Sequence, residues 1–407
     1  GLPGEFDSSR SWEKLKLKEA LTFQTQLSKK GNVKESWEEL IDKNGLPFMA
    51  LIRNLRNILG AGLGEQYHEK LLQRLQDKRQ VAESMQMPHR FLTAYLAVDA
   101  AASGTSFGQG GKGGKAKGRG KGGKRGAPRV ARDEGDGDGA GEQKLLPSAL
   151  AERYKAALDK AVQMAVEARL GALQGYSIVL CDVSGSMRYN EFAKAAKGIA
   201  GVTSAADLAI LLGLLLFHMS SDTEHCKVVL FSEGTPKPLD LQKGVGVLSQ
   251  FTAAKEKVRD MAKTTELPMQ WLTETLATFP ADRVVLFSDM LLGLKRNHVG
   301  GGALLQELLA EHRGKQKADC ALVCVDLFGS GATTGLDLSG DSNPHDILLS
   351  GFSDHMLAYI ANPSIRAQVT DVEQILPKLQ AEEEQKLRGK GKRADKPRTG
   401  DDTAEVK

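Results

Sequence analysis

Three oxygen donors at alternate positions, Asp182, Ser184 and Ser186, follow the run YSIVLC that begins at Tyr176. The run is short, apolar and rich in β-branched and aromatic residues, the pattern of a buried parallel strand. Gly185 lies between the serines, where a residue without a side chain lets the backbone fold tightly around a small object. One aspartate and two hydroxyls form an oxygen-only set of low charge, which suits a hard cation such as Mg²⁺ better than zinc or copper. The same residue types also suit an ordinary strand-to-helix turn whose serine caps the next helix, so the turn alone leaves both readings open.

Further donors stand at comparable places. Asp289 follows RVVLFS directly, and Thr264 and Thr265 precede the helix-like run LPMQWLTETL. Residues 227–231, 283–287 and 320–327 read as further buried strands, with helices over 205–219, 252–262 and 302–312 between them. This alternation predicts a doubly wound, Rossmann-like sheet with helices on both faces, in which ligands sit beyond the C-terminal ends of the strands. Three separate loops would then deliver their oxygens to one edge.

That arrangement resembles the von Willebrand factor A domain and its metal-ion-dependent adhesion site, a likeness extended by FSDM around Asp289 and LSGFSD near Phe352. The resemblance implies that Asp182, Ser184, Ser186, Thr265 and Asp289 hold Mg²⁺ or another divalent cation. Thr265 is preferred to Thr264 because TEL fits the family's Thr-acidic-apolar pattern. Neutral hydroxyls leave much of a dication's charge unmatched, so an open coordination position would attract a carboxylate or phosphate, and an acidic protein partner is expected there.

Before residue 103 the sequence has helical periodicity. Phe48, Leu51, Ile52, Leu55, Ile58 and Leu59 mark one face of a helix that Pro47 opens and Gly60, Gly62 and Gly64 close, while Arg53, Asn54, Arg56 and Asn57 fall on the other side. Helices over 65–78 and 89–101 follow, suggesting a HEAT-like, helical-repeat arrangement. The stretches LPFMALIRNLRNILGAG, HEKLLQRLQ and FLTAYLAVDA, in that order, resemble the TROVE module shared by the Ro and telomerase/vault-associated ribonucleoprotein family; SWEELIDKNG extends the likeness upstream. The resemblance implies an arc or ring of helices that binds small noncoding, ribosomal or misfolded RNA, with Arg53, Arg56 and Arg74 as candidate contacts.

Residues 104–126 are dominated by Gly, Lys and Arg, and cannot build a core. Lys112, Lys115, Lys117, Arg119, Lys121, Lys124 and Arg125 suit contact with nucleic-acid phosphates; no aromatic interleaves them, so base stacking is not expected. An acidic run, Asp133, Glu134, Asp136, Asp138 and Glu142, follows. The expected organisation is a helical RNA-binding region over 1–102, a basic-then-acidic insert over 103–143, a bridging helix within 144–174, the α/β domain over 175–378 and a charged tail over 379–407.

Composition narrows the function class. The net charge of +4 over 407 residues names no partner by itself, but the clustering of the basic residues does. The four cysteines lie in or beside apolar runs without Cys-x-x-Cys or zinc-finger spacing, as in a reducing compartment, so a cytoplasmic or nuclear protein is expected. No signal peptide stands at the start, and the most apolar run, 208–219, is too short to cross a bilayer. A first residue other than Met implies a fragment or a processed chain. The eight histidines show no HExxH pattern, no nucleophile elbow is present, and the glycines at 300–302 lack a Walker lysine. An enzyme is therefore not expected. The two functions in view are an RNA-binding component of a ribonucleoprotein and a scaffold that binds proteins through the metal site without specific RNA.

Overall fold

The computed structural model describes residues 22–103, 146–188, 204–292, 300–316, 319–329, 336–337, 346–351 and 354–361. Within the first of these segments lie α1 (Phe23–Lys30), α2 (Lys34–Asp42), α3 (Phe48–Gly60), α4 (Glu65–Leu75), α5 (Lys78–Glu83) and α6 (Pro88–Ser103). The apolar face expected on α3 is buried, with Leu51, Leu55 and Ile58 fully enclosed. The helix expected over 65–78 is instead two. Asp77 turns its carboxylate onto the backbone N–H groups of Arg79 and Gln80, at 2.9 and 3.1 Å, and so starts α5 as a new helix.

The bridging segment forms α7 (Ser148–Arg169), which packs against α4, α5 and α6. Tyr154 enters the helical core, where its hydroxyl lies 2.9 Å from His68 Nδ1. Arg153 forks onto Glu65 and Glu69, and Lys155 pairs with Asp99.

Six strands follow in the spatial order β3-β2-β1-β4-β5-β6: β1 (Ser177–Asp182), β2 (Cys226–Ser232), β3 (Thr235–Pro238), β4 (Arg283–Ser288), β5 (Ala321–Asp326) and β6 (Asp346–Ser350). Every pairing is parallel except that of β3 with β2. Neither edge strand was evident in the sequence. The run TPKP carries two prolines, which a strand tolerates only at an edge, where the missing donors leave no neighbour unpaired. The short run DILLS is only half-buried.

Along β1, Ile178 and Leu180 face the layer formed by α11 (Met269–Thr278) and α12 (Gly301–Gln316), whereas Val179 and Cys181 face the opposite layer. That opposite layer contains α9 (Ala205–Met219), α10 (Val247–Val258) and α13 (Asp354–Ala361). Nearly every residue of α9 is buried, because the sheet covers one side and α7 and α10 the other; a helix apolar all round needs such cover. One hydrophobic core therefore runs from Trp37 through Tyr154 to Phe217, joining the helical region to the sheet. Among the described residues no helix is long and apolar enough to cross a membrane.

His218, in the last turn of α9, is a pH-sensitive point in this packing. A helix C-terminus ordinarily favours a protonated histidine, but burial holds the pKa of His218 down at about 4, helped by the charge of Lys243. The amide nitrogen of Gln250 lies 2.9 Å from its Nε2, an arrangement that suits a neutral, accepting ring. With the folded pKa depressed from 6.5, the unfolded chain binds the extra proton first, so the stabilisation is complete above pH 6.5 and lost as pH falls towards 4. Denaturant titrations over that range should show a decline that is smaller in His218→Gln; the pKa difference bounds the His218 share at roughly 3 kcal/mol.

Candidate functional site

The C-terminal edge of the sheet gathers the oxygens. β1 ends in Asp182, β4 in Ser288 and β5 in Asp326, with Ser288 in register with Asp326 and all three side chains enclosed. Ser288 Oγ donates to Asp182 Oδ2 at 2.7 Å, and the Ser184 N–H donates to Asp182 Oδ1 at 2.9 Å, so both carboxylate oxygens are held. The Ser184 and Ser186 hydroxyl oxygens are 3.2 Å apart; Ser184 is buried and Ser186 exposed, which makes a short path from solvent to Asp182. Asp289, also buried, accepts from the Leu291 N–H at 3.0 Å.

Burial pushes the pKa of Asp182 up to about 6, and the negative charge of Asp289 adds to the rise, while the bonds from Ser288 and Ser184 oppose it. Two enclosed carboxylates whose charges work against each other, fronted by two hydroxyls, form a donor set that fits a hard divalent cation. The cation would offset the repulsion and use oxygen ligands alone.

The threonine loop is brought to the same edge by backbone bonds. The Gly185 N–H donates to the Lys263 carbonyl at 2.6 Å, the Glu233 N–H to Thr264 O at 2.9 Å, and the Gly234 N–H to Glu266 O at 2.9 Å. A Cβ on Gly185 would lie 2.8 Å from the Lys263 oxygen, so glycine is required for this approach. Thr265 is half-buried and Thr264 exposed. Asp182, Ser184, Ser186, Thr265 and Asp289 thus come from three loops at one sheet edge. Three neighbours escaped the sequence reading. Ser288 and Asp326 could have been noticed as polar residues ending apolar strands, as Asp182 does; Arg188 gave no signal in its spacing. Among the described residues no group of three or more His, Cys, Asp or Glu side chains comes together as a metal site, so any cation here depends on the hydroxyls.

The candidate RNA residues divide. Arg53 and Arg56 are exposed on α3, beside Met49, itself 45% exposed. Arg74 is placed differently: half-buried, it turns its guanidinium towards the fold, donating from Nη2 to the Leu46 carbonyl at 2.7 Å and from Nε to Gln80 at 3.1 Å. Burial lowers its pKa, and its role is to brace the turn between α2 and α3. Lys112, Lys115, Lys117, Arg119, Lys121, Lys124 and Arg125 lie outside the described residues, as does the charged tail.

Comparison with known proteins gives matches in both halves. Residues 1–175 match the family model of the TROVE domain, and residues 203–380 match a domain of unknown function, DUF5920. Telomerase protein component 1 of Rattus norvegicus is 27% identical over 394 residues, covering 88% of this chain and 14% of that protein. Its counterpart in Mus musculus is 47% identical over 98 residues, covering 24% of this chain and 4% of that protein. The chain therefore spans a small part of the length of these relatives. The crystal structure of the Deinococcus radiodurans RO (RSR) protein aligns with a TM-score of 0.48 at 19% identity, over 81% of this chain and 55% of that one. The first 175 residues thus match the TROVE domain, and most of the chain is similar to a part of telomerase protein component 1.

Proposed function

We propose that the chain is a non-enzymatic, RNA-binding component of a ribonucleoprotein, in which the TROVE domain and the basic arm grip small structured or misfolded RNA. The observation that carries this reading is the TROVE match over residues 1–175, whose helical part presents Arg53 and Arg56 outward on α3. The relatives' name, a protein component of telomerase, is in keeping with a place in an RNA-containing assembly. The α/β half is read as a von Willebrand A-like module that holds Mg²⁺ at Asp182, Ser184, Ser186, Thr265 and Asp289 and uses it to engage an acidic group of a partner. Mg²⁺ would supply an electrophilic coordination position; the chain's own residues hold Asp182 in place and keep the hydroxyls beside it. A cytoplasmic or nuclear location fits this role.

The test is RNA recovery after crosslinking in cells, comparing the intact chain with Arg53→Glu/Arg56→Glu and with a deletion of residues 104–126. Recovery of a small structured RNA by the intact chain and by the deletion, with loss in the charge reversal, places recognition on α3. In salt titrations the reversal should flatten log K against log[salt] by about 1.4, the value for two single-strand phosphate contacts. Recovery that depends only on the arm would mean indiscriminate phosphate binding. No RNA with any version would leave a metal-site scaffold.

A further inference from the structure

Asp182, Ser184 and Ser186 belong to one continuous turn, but Thr264 and Thr265 belong to a loop that no secondary structure attaches to it. Beyond its backbone bonds with Gly185, Glu233 and Gly234, that loop is held by one side chain. Arg188, in the last position of the short helix α8 (Gly185–Arg188), sends its guanidinium into the C-terminal end of α10 and the loop beyond. Nη1 donates to Val258 O at 3.3 Å, Nη2 to Met261 O at 2.9 Å and also to Ala262 O, and Nε lies 3.4 Å from Ser184 O. Four carbonyls from three places, the serine turn, the end of α10 and the loop that leads into the threonines, therefore converge on one planar group.

Chemistry explains why this residue must be arginine. The last carbonyls of a helix have no partner within it and carry the negative end of the helix dipole, so a cation with several donors satisfies both needs. Only a guanidinium offers five N–H groups in a fixed fork; a lysine ammonium of similar reach presents a point charge and cannot bridge separate carbonyls in a set geometry. One residue further along, the Lys263 carbonyl receives the Gly185 N–H, so the clamp and the backbone bond act in series on the segment that ends at Thr264 and Thr265.

We propose that Arg188 is the positioning residue of the cation site: it touches no ligand oxygen of the metal but sets the threonine loop against the Ser184–Ser186 turn. This rests on the metal-site reading given above. Loss of such an outer support costs about 10- to 100-fold in metal affinity.

The experiment measures Mn²⁺ and Mg²⁺ binding by calorimetry on the full chain, for wild type, Arg188→Ala and Arg188→Lys, alongside amide exchange at Gly185 and melting without metal. The expected result is a 10- to 100-fold weaker cation in both variants, faster exchange at the Gly185 amide in both, and no rescue by lysine. A residue that served only general stability or charge balance would shift melting without separating affinity from it, and lysine would restore most of the loss. Wild type that binds the cation, with variants that bind it equally well, would overturn the positioning role and leave the metal site standing. If wild type binds neither ion, the metal-site reading falls and the positioning role with it. If only Gly185 exchange is unchanged, the tether is not made by Arg188 and the proposal is overturned on that ground.

Discussion

Asp182→Asn should leave the protein folded and abolish divalent-cation binding, with a loss of at least about 100-fold in affinity, or roughly 2.7 kcal/mol. The asparagine is nearly the same size and retains an acceptor for the Ser184 N–H, while the Ser288 hydroxyl can rotate to accept from the new amide, so both bonds that hold the side chain survive in exchanged form. What disappears is the buried negative charge, and with it the main electrostatic reason for a cation to leave water. Removing that charge also removes the cost shown by the raised pKa of Asp182, so the metal-free variant should melt at the wild-type temperature or above it. Calorimetric titration with Mg²⁺ and a melt in EDTA separate the two effects. Ser186→Ala, at the exposed end of the set, should weaken binding less than Ser184→Ala, whose hydroxyl is enclosed. Retained Mg²⁺ affinity in Asp182→Asn would remove Asp182 from the site.

Much of this edge was legible in the sequence because its logic is local. An apolar run that ends in Asp-x-Ser-x-Ser already specifies a strand, its exit and the oxygens that exit carries. The strands β2, β4 and β5 were equally plain, since each is enclosed on both faces and so reads as an uninterrupted apolar run. The contacts that remained hidden are those whose two partners lie far apart in the chain. The bond from Arg74 to the Leu46 carbonyl, across 28 positions, leaves no trace in the local pattern of either residue. The helix expected over 252–262 begins five residues earlier, at Val247, because the group that starts it is not in its own sequence at all but in α7. Arg188, reaching Val258 across 70 positions, is the same case at the other end of that helix.

Asp159→Ala should be the most destabilising single change at the junction between the helical region and the α/β region. From α7, Asp159 accepts the Leu248 N–H at 2.6 Å and the Ser249 hydroxyl at 2.5 Å, capping the first turn of α10 from outside. Tyr95 of α6 stands close to the same Ser249 hydroxyl, so three helices meet at this point. Gly246, just before α10, has no room for a side chain: a Cβ there would overlap the Asp159 carboxylate. Alanine at 159 leaves a buried N–H without its acceptor and strips the cap, a loss of about 3 kcal/mol. Asp159→Asn separates the hydrogen bonds from the charge. It keeps an acceptor for Leu248, can donate to the Ser249 oxygen, and removes a carboxylate whose pKa burial has raised. A raised folded pKa means that the folded chain holds the proton more tightly, so this group's contribution to stability declines as pH rises through that pKa. At neutral pH the asparagine variant should therefore match or exceed wild type in denaturant titrations, and its stability should vary less with pH above the ordinary carboxylate range. Exchange at the Leu248 amide gives the local reading, fast in the alanine variant and slow in the asparagine one. If alanine and asparagine prove equally damaging, the carboxylate charge matters more than the cap. Because α10 ends where Arg188 grips it, a helix loosened at its first turn should also transmit some slack to the threonine loop. Cation affinity in Asp159→Ala should then fall, by less than in Arg188→Ala, since the clamp at the far end remains in place.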